Sequence, residues 1–260
     1  LTTASSILPL DLEGLRALGR LHYKRGNYRE AERYLQEVMD KYKRDLSSDE
    51  QVAILVQLGE SALKTKNIQK AQIYLRQVVE AQPNNPKALE NIIEVLRAHG
   101  ELEDALRYME RLLALKQDKV ERYQIIMAIG DTCYQELGDK RRAVEAYRSA
   151  LELDVLPKAP ALRLFELYLQ ADDYVNAMSN LNRLIKLEED PKVKAKYANM
   201  AAVVYREKLK DPVEAVKYYN VSLDFDIERL TSFEAIVQIL TQLKDNVALN
   251  KNYRSEERRV

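Results

Sequence analysis

Few side chains in this chain of 260 residues could do chemistry on their own account. The two histidines, His22 and His99, lie far apart, and Cys133 is the one cysteine. A protein metal site needs three or four ligands in a short, patterned spacing, and these residues do not supply one. Cys133 reads first as a small buried apolar residue and only second as a nucleophile. His99 precedes a glycine at a helix end, where a cation suits the helix dipole. Glycine-rich phosphate loops and the Gly-x-Ser-x-Gly nucleophile turn are both absent. The expectation is therefore no catalytic residue, no metal and no cofactor. Carboxylates four apart, such as Glu90 and Glu94, arise by chance where charged residues make up 32% of the chain. One basic pattern is more specific. Arg16, Arg20 and Lys24 follow i, i+4, i+8, which places three cations on one helix face. That arrangement suits binding, not bond-making.

The elements that must carry these residues are written in a recurrence. LRALGRLHYKRGNYREAERYL (15–35) returns as LVQLGESALKTKNIQKAQIYL (55–75) and as LENIIEVLRAHGELEDALRYM (89–109). Gly19, Gly59, Ile93, Gly130, Phe165 and Ala202 share one slot. Ala31, Ala71, Ala105, Ala143, Ala177 and Ala215 share another, and all six are alanine. A small side chain there lets two helices approach closely. One turn further on comes a bulky residue: Leu35, Leu75, Met109, Tyr147, Leu181 or Tyr219, expected on the buried face. Between the helices lie turn-and-cap segments such as GNYREA (26–31), KNIQKA (66–71) and KDPVEA (210–215). Asn27 with Glu30, and Asp211 with Glu214, have the spacing of a capping box. Pro212 falls at a first helical position, where its missing N–H costs nothing. The fourth and sixth copies carry one extra residue between the small slot and the alanine. The first has a long connection, KYKRDLSSDEQ (41–51).

Composition narrows the function classes. Lys plus Arg and Asp plus Glu both number 41, so the formal charge is zero. That gives no electrostatic case for nucleic acid or an anionic membrane as the main partner. No apolar run reaches the roughly 18 residues that span a bilayer, so no direct membrane insertion is expected. The chain begins at Leu1, lacks a secretory leader and ends within a helical pattern, as expected of a piece of a longer protein. With no leader and no disulfide partner for Cys133, the compartment is left open, leaning to the cytoplasm.

The spacing of small residue, alanine and bulky residue resembles the tetratricopeptide repeat. The resemblance runs over roughly residues 12–250 and implies an all-α, right-handed superhelical solenoid of antiparallel helix hairpins. Six repeats are expected over 12–229, starting near residues 12, 52, 86, 123, 158 and 195. A lead-in over 1–11 precedes them. A partial seventh hairpin with a charged end, 230–260, follows and has Leu249 in the alanine slot. Its apolar face (Ile236, Ile239, Leu240, Leu243) has no following helix, which points to fraying or self-association there. His22, Cys133 and Tyr168 share the slot that usually holds an inner-face tyrosine. Tyr34, Tyr74 and Tyr108 are expected to pack between helices.

In the resembled family the first helix of each repeat lines a concave groove. Carried over, the groove contains Arg16, Arg20, Tyr23 and Lys24 from the first repeat, and Glu60 and Lys64 from the second. The third gives Glu90, Glu94 and Arg97, and the fourth gives Asp131 and Tyr134. It is basic at its start and acidic near the third and fourth repeats, so a protein or peptide segment of opposite polarity is the expected partner. One subfamily clamps the terminal carboxylate of chaperone tails with Lys, Asn, Asn, Lys and Arg. Here those slots hold Arg16, Arg20, Gln57, Lys87 and Asn91, and only Lys87 matches. The resemblance implies a non-enzymatic interaction scaffold. Two other readings are a docking region of an enzyme whose catalytic domain lies outside this piece, and an RNA-binding helical repeat. The second needs a basic face, which Glu90, Glu94 and Asp131 oppose.

Overall fold

A computed structural model describes residues 11–228 and 230–259. The lead-in over 1–10 and the side chains of the charged C-terminal run lie outside the described residues. The chain divides into two compact units, Leu1–Gly138 and Asp139–Val260. The described residues form helices and turns and contain no strand.

The first unit opens with hairpin α1 (Leu12–Lys24) and α2 (Tyr28–Tyr42). It continues with α3 (Ser48–Lys64) and α4 (Ile68–Ala81), then α5 (Pro86–His99) and α6 (Leu102–Leu115). It ends with α7 (Lys119–Asp131). In the second unit α8 (Lys140–Glu152) packs on α9 (Lys158–Gln170), which pairs with α10 (Tyr174–Leu187). Two further hairpins follow: α11 (Pro191–Val204) with α12 (Pro212–Phe225), and α13 (Leu230–Gln242) with α14 (Asn246–Arg259). Within each unit every helix packs on the next in sequence.

The slots of the recurrence explain this packing. All six repeat alanines are fully buried, and the bulky residues one turn on are at most 3% exposed. Gly19 and Gly59 face Leu35 and Leu75 so closely that a Cβ would lie 2.7 and 2.6 Å from leucine side-chain carbons. The contact between paired helices is thus set by a missing side chain on one and a bulky one on the other. Each first helix from α1 to α13 is followed by a residue in the left-handed region: Gly26, Lys66, Gly100, Gly138, Asp172, Lys210 and Lys244. KDNVAL (244–249) therefore repeats the turn of KDPVEA, and Asp245 Oδ1 accepts from Ala248 N at 2.9 Å. Leu249 packs partly buried in the alanine slot of that last hairpin.

The extra residues of the fourth and sixth copies become π turns, at Thr132–Glu136 and Tyr205–Leu209. Widening one turn absorbs an inserted residue without ending the helix. In the second of these, Asp211 N reaches back to Tyr205 O at 2.9 Å.

Three expectations are corrected. Asn27 makes no side-chain cap bond, and the Glu30 carboxylate turns to Arg33 at 2.8 Å instead of reaching back. Asp211 caps Glu214 N at 3.0 Å, but the Glu214 carboxylate pairs with Lys217 instead of reaching back. The complete capping box is Ser47 with Glu50, inside the segment read as a long connection. There α3 starts at Ser48, and α7 and α11 likewise start about a turn before the spacing suggests, each behind an aspartate cap, Asp118 or Asp190. Finally, Ile236, Ile239 and Leu240 are buried at 0, 4 and 4% exposure, while Leu243 stays exposed. Their cover is α12 on one side and Ala248 and Leu249 of α14 on the other. Three of the four residues of the face that motivated self-association are therefore covered within the chain.

Candidate functional site

Tyr23 stands in the last turn of α1, and its hydroxyl donates to Glu60 Oε2 on α3. The Asn91 amide of α5 donates to Glu60 Oε1 at 3.1 Å. The Lys87 ammonium stands 3.3 Å from the same oxygen. One carboxylate, 15% exposed, thus ties together the first helices of three hairpins. Burial pushes the Glu60 carboxyl up, but Tyr23, Asn91 and Lys87 together outweigh it and hold it below its ordinary range. Burial, and then the Glu60 carboxylate, push the Tyr23 phenol above its ordinary range, so it remains a donor.

The turn after α1 places a second ring beside the first. Gly26 turns the chain at φ 75°, and Tyr28 opens α2 with its ring edge-on to Tyr23, centroids 6.0 Å apart. These groups line a recess of about 230 Å³ with Leu63, Lys64, Lys87, Asn91 and Glu94. Of the residues expected in the groove, Tyr23, Glu60, Lys64 and Glu94 meet here.

The other expected residues are placed differently. Arg16 is 15% exposed in its side chain and pairs with Glu50 at 2.8 Å and Glu13 at 3.4 Å. Glu50 is held below its ordinary range by the Ser47 backbone, the Ser47 hydroxyl and then Arg16, so Arg16 braces the capping box of α3. Glu90 pairs with Lys116 at 3.3 Å, and Arg97 with Glu136 at 2.6 Å. Asp131 and Tyr134 are half-buried and engaged within the fold. Burial, and then the Asp131 charge, raise the Tyr123 phenol. Arg20 and Lys24 are exposed and form no ion pair among the described residues.

Sequence reasoning missed Tyr28, and it weighed Lys87 and Asn91 only as members of a terminal-carboxylate clamp. Their visible signal was repeat register: Lys87 and Asn91 sit one turn apart at the start of α5, on the side facing Glu60. Tyr28 has no such signal, because it lies on a second helix and reaches the recess through the turn.

The remaining chemistry-bearing residues have structural places. His22 stacks on Tyr34 with ring centroids 5.5 Å apart. His99 Nδ1 lies 2.8 Å from Glu101 Oε1. Tyr74 donates to Gln36 Oε1 at 2.9 Å, and Tyr218 to Asn182 Oδ1 at 2.9 Å, each bridging successive second helices. Arg111 lies over the Tyr108 ring at 5.2 Å. Among the described residues no group of three His, Cys, Asp or Glu side chains is placed to hold a metal ion. Among them, too, no helix is long and apolar enough to cross a membrane.

Comparison with known proteins bears on this architecture. The family model described as tetratricopeptide repeat matches residues 11–84. A second, described as the TT21 fifth ARM repeats domain, matches residues 50–152. No curated protein matches the sequence. Among solved structures, a tetratricopeptide repeat protein from Parabacteroides merdae ATCC 43184 is 19% identical, with TM-score 0.52 over 95% of this chain and 92% of that one. The ArsTM double mutant of MamA RS-1 is 20% identical, with TM-score 0.50 over 68% of this chain and 93% of that one. At such identities the likeness is one of fold.

Proposed function

We propose, from the premise that this chain is a tetratricopeptide repeat protein, that it is a non-catalytic protein-interaction scaffold whose first unit seats a segment of a partner protein in the recess around Glu60. The observation that carries this reading is the recess itself. Its walls come from three successive hairpins and are held in one arrangement by the hydrogen bonds converging on Glu60. A site preorganised in this way loses little freedom when a partner docks. Tyr28 and Leu63 offer apolar contact area, and tyrosine does so with few rotatable bonds. Arg20 and Lys24 extend the surface along α1, and Glu94 and Lys64 supply opposite charges at the recess.

Site-specific photocrosslinking tests the reading. A photoreactive residue at Leu63 should trap one defined partner in extracts of the native host. The same residue at Val175, exposed on the second unit, should not. Excess unlabelled protein should compete with the crosslink, and Tyr28→Ala should weaken it. Equal trapping at both positions, or no effect of Tyr28→Ala, would overturn the assignment of the recess.

A further inference from the structure

The repeat register that frames the recess around Glu60 recurs in the second unit with different side chains. Arg206 holds the slot of Tyr23, Gln238 that of Glu60 and Gln242 that of Lys64. With Lys210, Pro212 and Ile239 these residues line a second recess, of about 370 Å³, between the turn after α11, the start of α12, and α13. In the first unit the tyrosine and the glutamate close on each other. Here Arg206 turns to Glu207 at 2.9 Å and lies 6.0 Å from the Tyr219 ring centroid. The arginine is thus held in place and matched in charge, and Gln238 is left to the opening. Gln238 and Gln242 are exposed, and neither amide forms a hydrogen bond among the described residues. The turn that carries Arg206 is the widened one, Tyr205–Leu209, and single widened turns of this kind gather at functional sites.

We infer that this recess is a second seat, separate from the one around Glu60, and that it takes an extended peptide segment by its main chain. A carboxamide offers two donors and an acceptor, so each glutamine can donate to a peptide carbonyl and accept from a peptide N–H. Gln238 and Gln242 stand four residues apart on α13, a rise of about 6 Å. An extended chain turns the same edge of its backbone outward every second residue, about 6.6 Å apart. The two spacings agree closely enough for both amides to engage one edge of one segment, much as a sheet edge receives an added strand. Because the amides are neutral and meet backbone groups, the seat selects an extended conformation more than particular side chains. Pro212 gives it an apolar wall, and Arg206, fixed by Glu207, a rigid one. The second seat holds or falls independently of the first.

Selection of a random-peptide library on the whole protein, with Gln238→Ala/Gln242→Ala as the counter-selected chain, tests this. Captured peptides are resynthesised with single backbone N-methyl groups and, separately, with single alanines, and their binding is followed by fluorescence anisotropy. N-methylation removes a backbone donor and leaves every side chain in place. Kd should rise roughly tenfold in the double glutamine variant, whose melting should match wild type because both side chains are exposed. N-methylation should weaken binding at alternate positions of the peptide. Most alanines in the peptide, and Tyr28→Ala in the protein, should leave it unchanged. Binding that tolerates every N-methyl group but fails with particular alanines would overturn main-chain recognition. Peptides lost with Tyr28→Ala and not with the glutamines, or no peptide that distinguishes the two chains, would overturn the second seat and leave the recess around Glu60 to its own test.

Discussion

Gly59 and Leu75 show how a single atom sets the packing of a hairpin. A Cβ on Gly59 would lie 2.6 Å from Leu75 Cγ, deep in the side chain and not at its flexible end. Gly59→Ala gains about 1 kcal/mol of helix propensity but incurs about 1–3 kcal/mol of overpacking. Urea titration should therefore show a net loss of about 1 kcal/mol, and Leu75→Val in the same chain should recover part of it. Gly100 isolates the opposite effect. It sits at φ 80° with nothing within 4 Å of a built Cβ, so Gly100→Ala should destabilise by about 1 kcal/mol through the backbone alone. At Glu60 the expectation concerns pH. Its folded-state carboxyl is held below its ordinary value of 4.5. Its contribution to stability is thus present above that value and is lost as pH falls through the folded pKa. Tyr23→Phe removes one donor and should flatten that acid limb of the urea midpoint against pH; an unchanged limb would refute the role given to the hydroxyl. The alanine slot was fully legible in the sequence because backbone proximity demands one residue type there. The recess was only half legible. Arg16, Glu90 and Arg97 hold the right register, but Glu50, Lys116 and Glu136 reach them from distant parts of the chain, and register alone does not reveal such partners.

At the scale of the element, caps and turns separate what a motif suggests from what side chains do. Asn27 and Ser47 both precede helices with a glutamate at the third position. Only Ser47 forms the reciprocal pair, with Glu50 N donating to its Oγ at 3.3 Å and Ser47 N donating to Glu50 Oε2 at 3.0 Å. Ser47→Ala should cost about 1 kcal/mol and Asn27→Ala almost nothing, a contrast that paired denaturation curves would settle. The sequence pattern could not separate the two, because Glu30 has the alternative of Arg33 one turn along its own helix. The inserted residues were legible as spacing but not as geometry. A count that is one too long fits equally a longer loop or a widened turn, and the fold chose the turn. Deleting Lys208, exposed within the second π turn, should give a folded chain with unchanged helical circular dichroism and an ordinary α turn in its place. Loss of cooperative unfolding would show that the widened turn is required.

On the scale of the whole molecule, the second unit keeps an exposed valine at one position of three successive second helices: Val175, Val213 and Val247, at 79, 58 and 82% exposure. The first unit has Arg29, Gln69 and Glu103 in that place. Replacing the three valines by lysine should leave stability within about 0.5 kcal/mol each, read as unchanged melting of the variant. Removing α14 is a different matter, since it uncovers the cluster around Ile236 and Ile239. A chain ending at Asp245 should self-associate in sedimentation runs at rising concentration where the full chain does so less. The widened turns reach further still. A repeat profile keeps time by counting residues, and each π turn puts the later copies one beat behind while leaving their helices in place. The tetratricopeptide match ends at residue 84, well before the first widened turn at Thr132. A residue count carried through both widened turns must slip by one at each of them to stay on the helices.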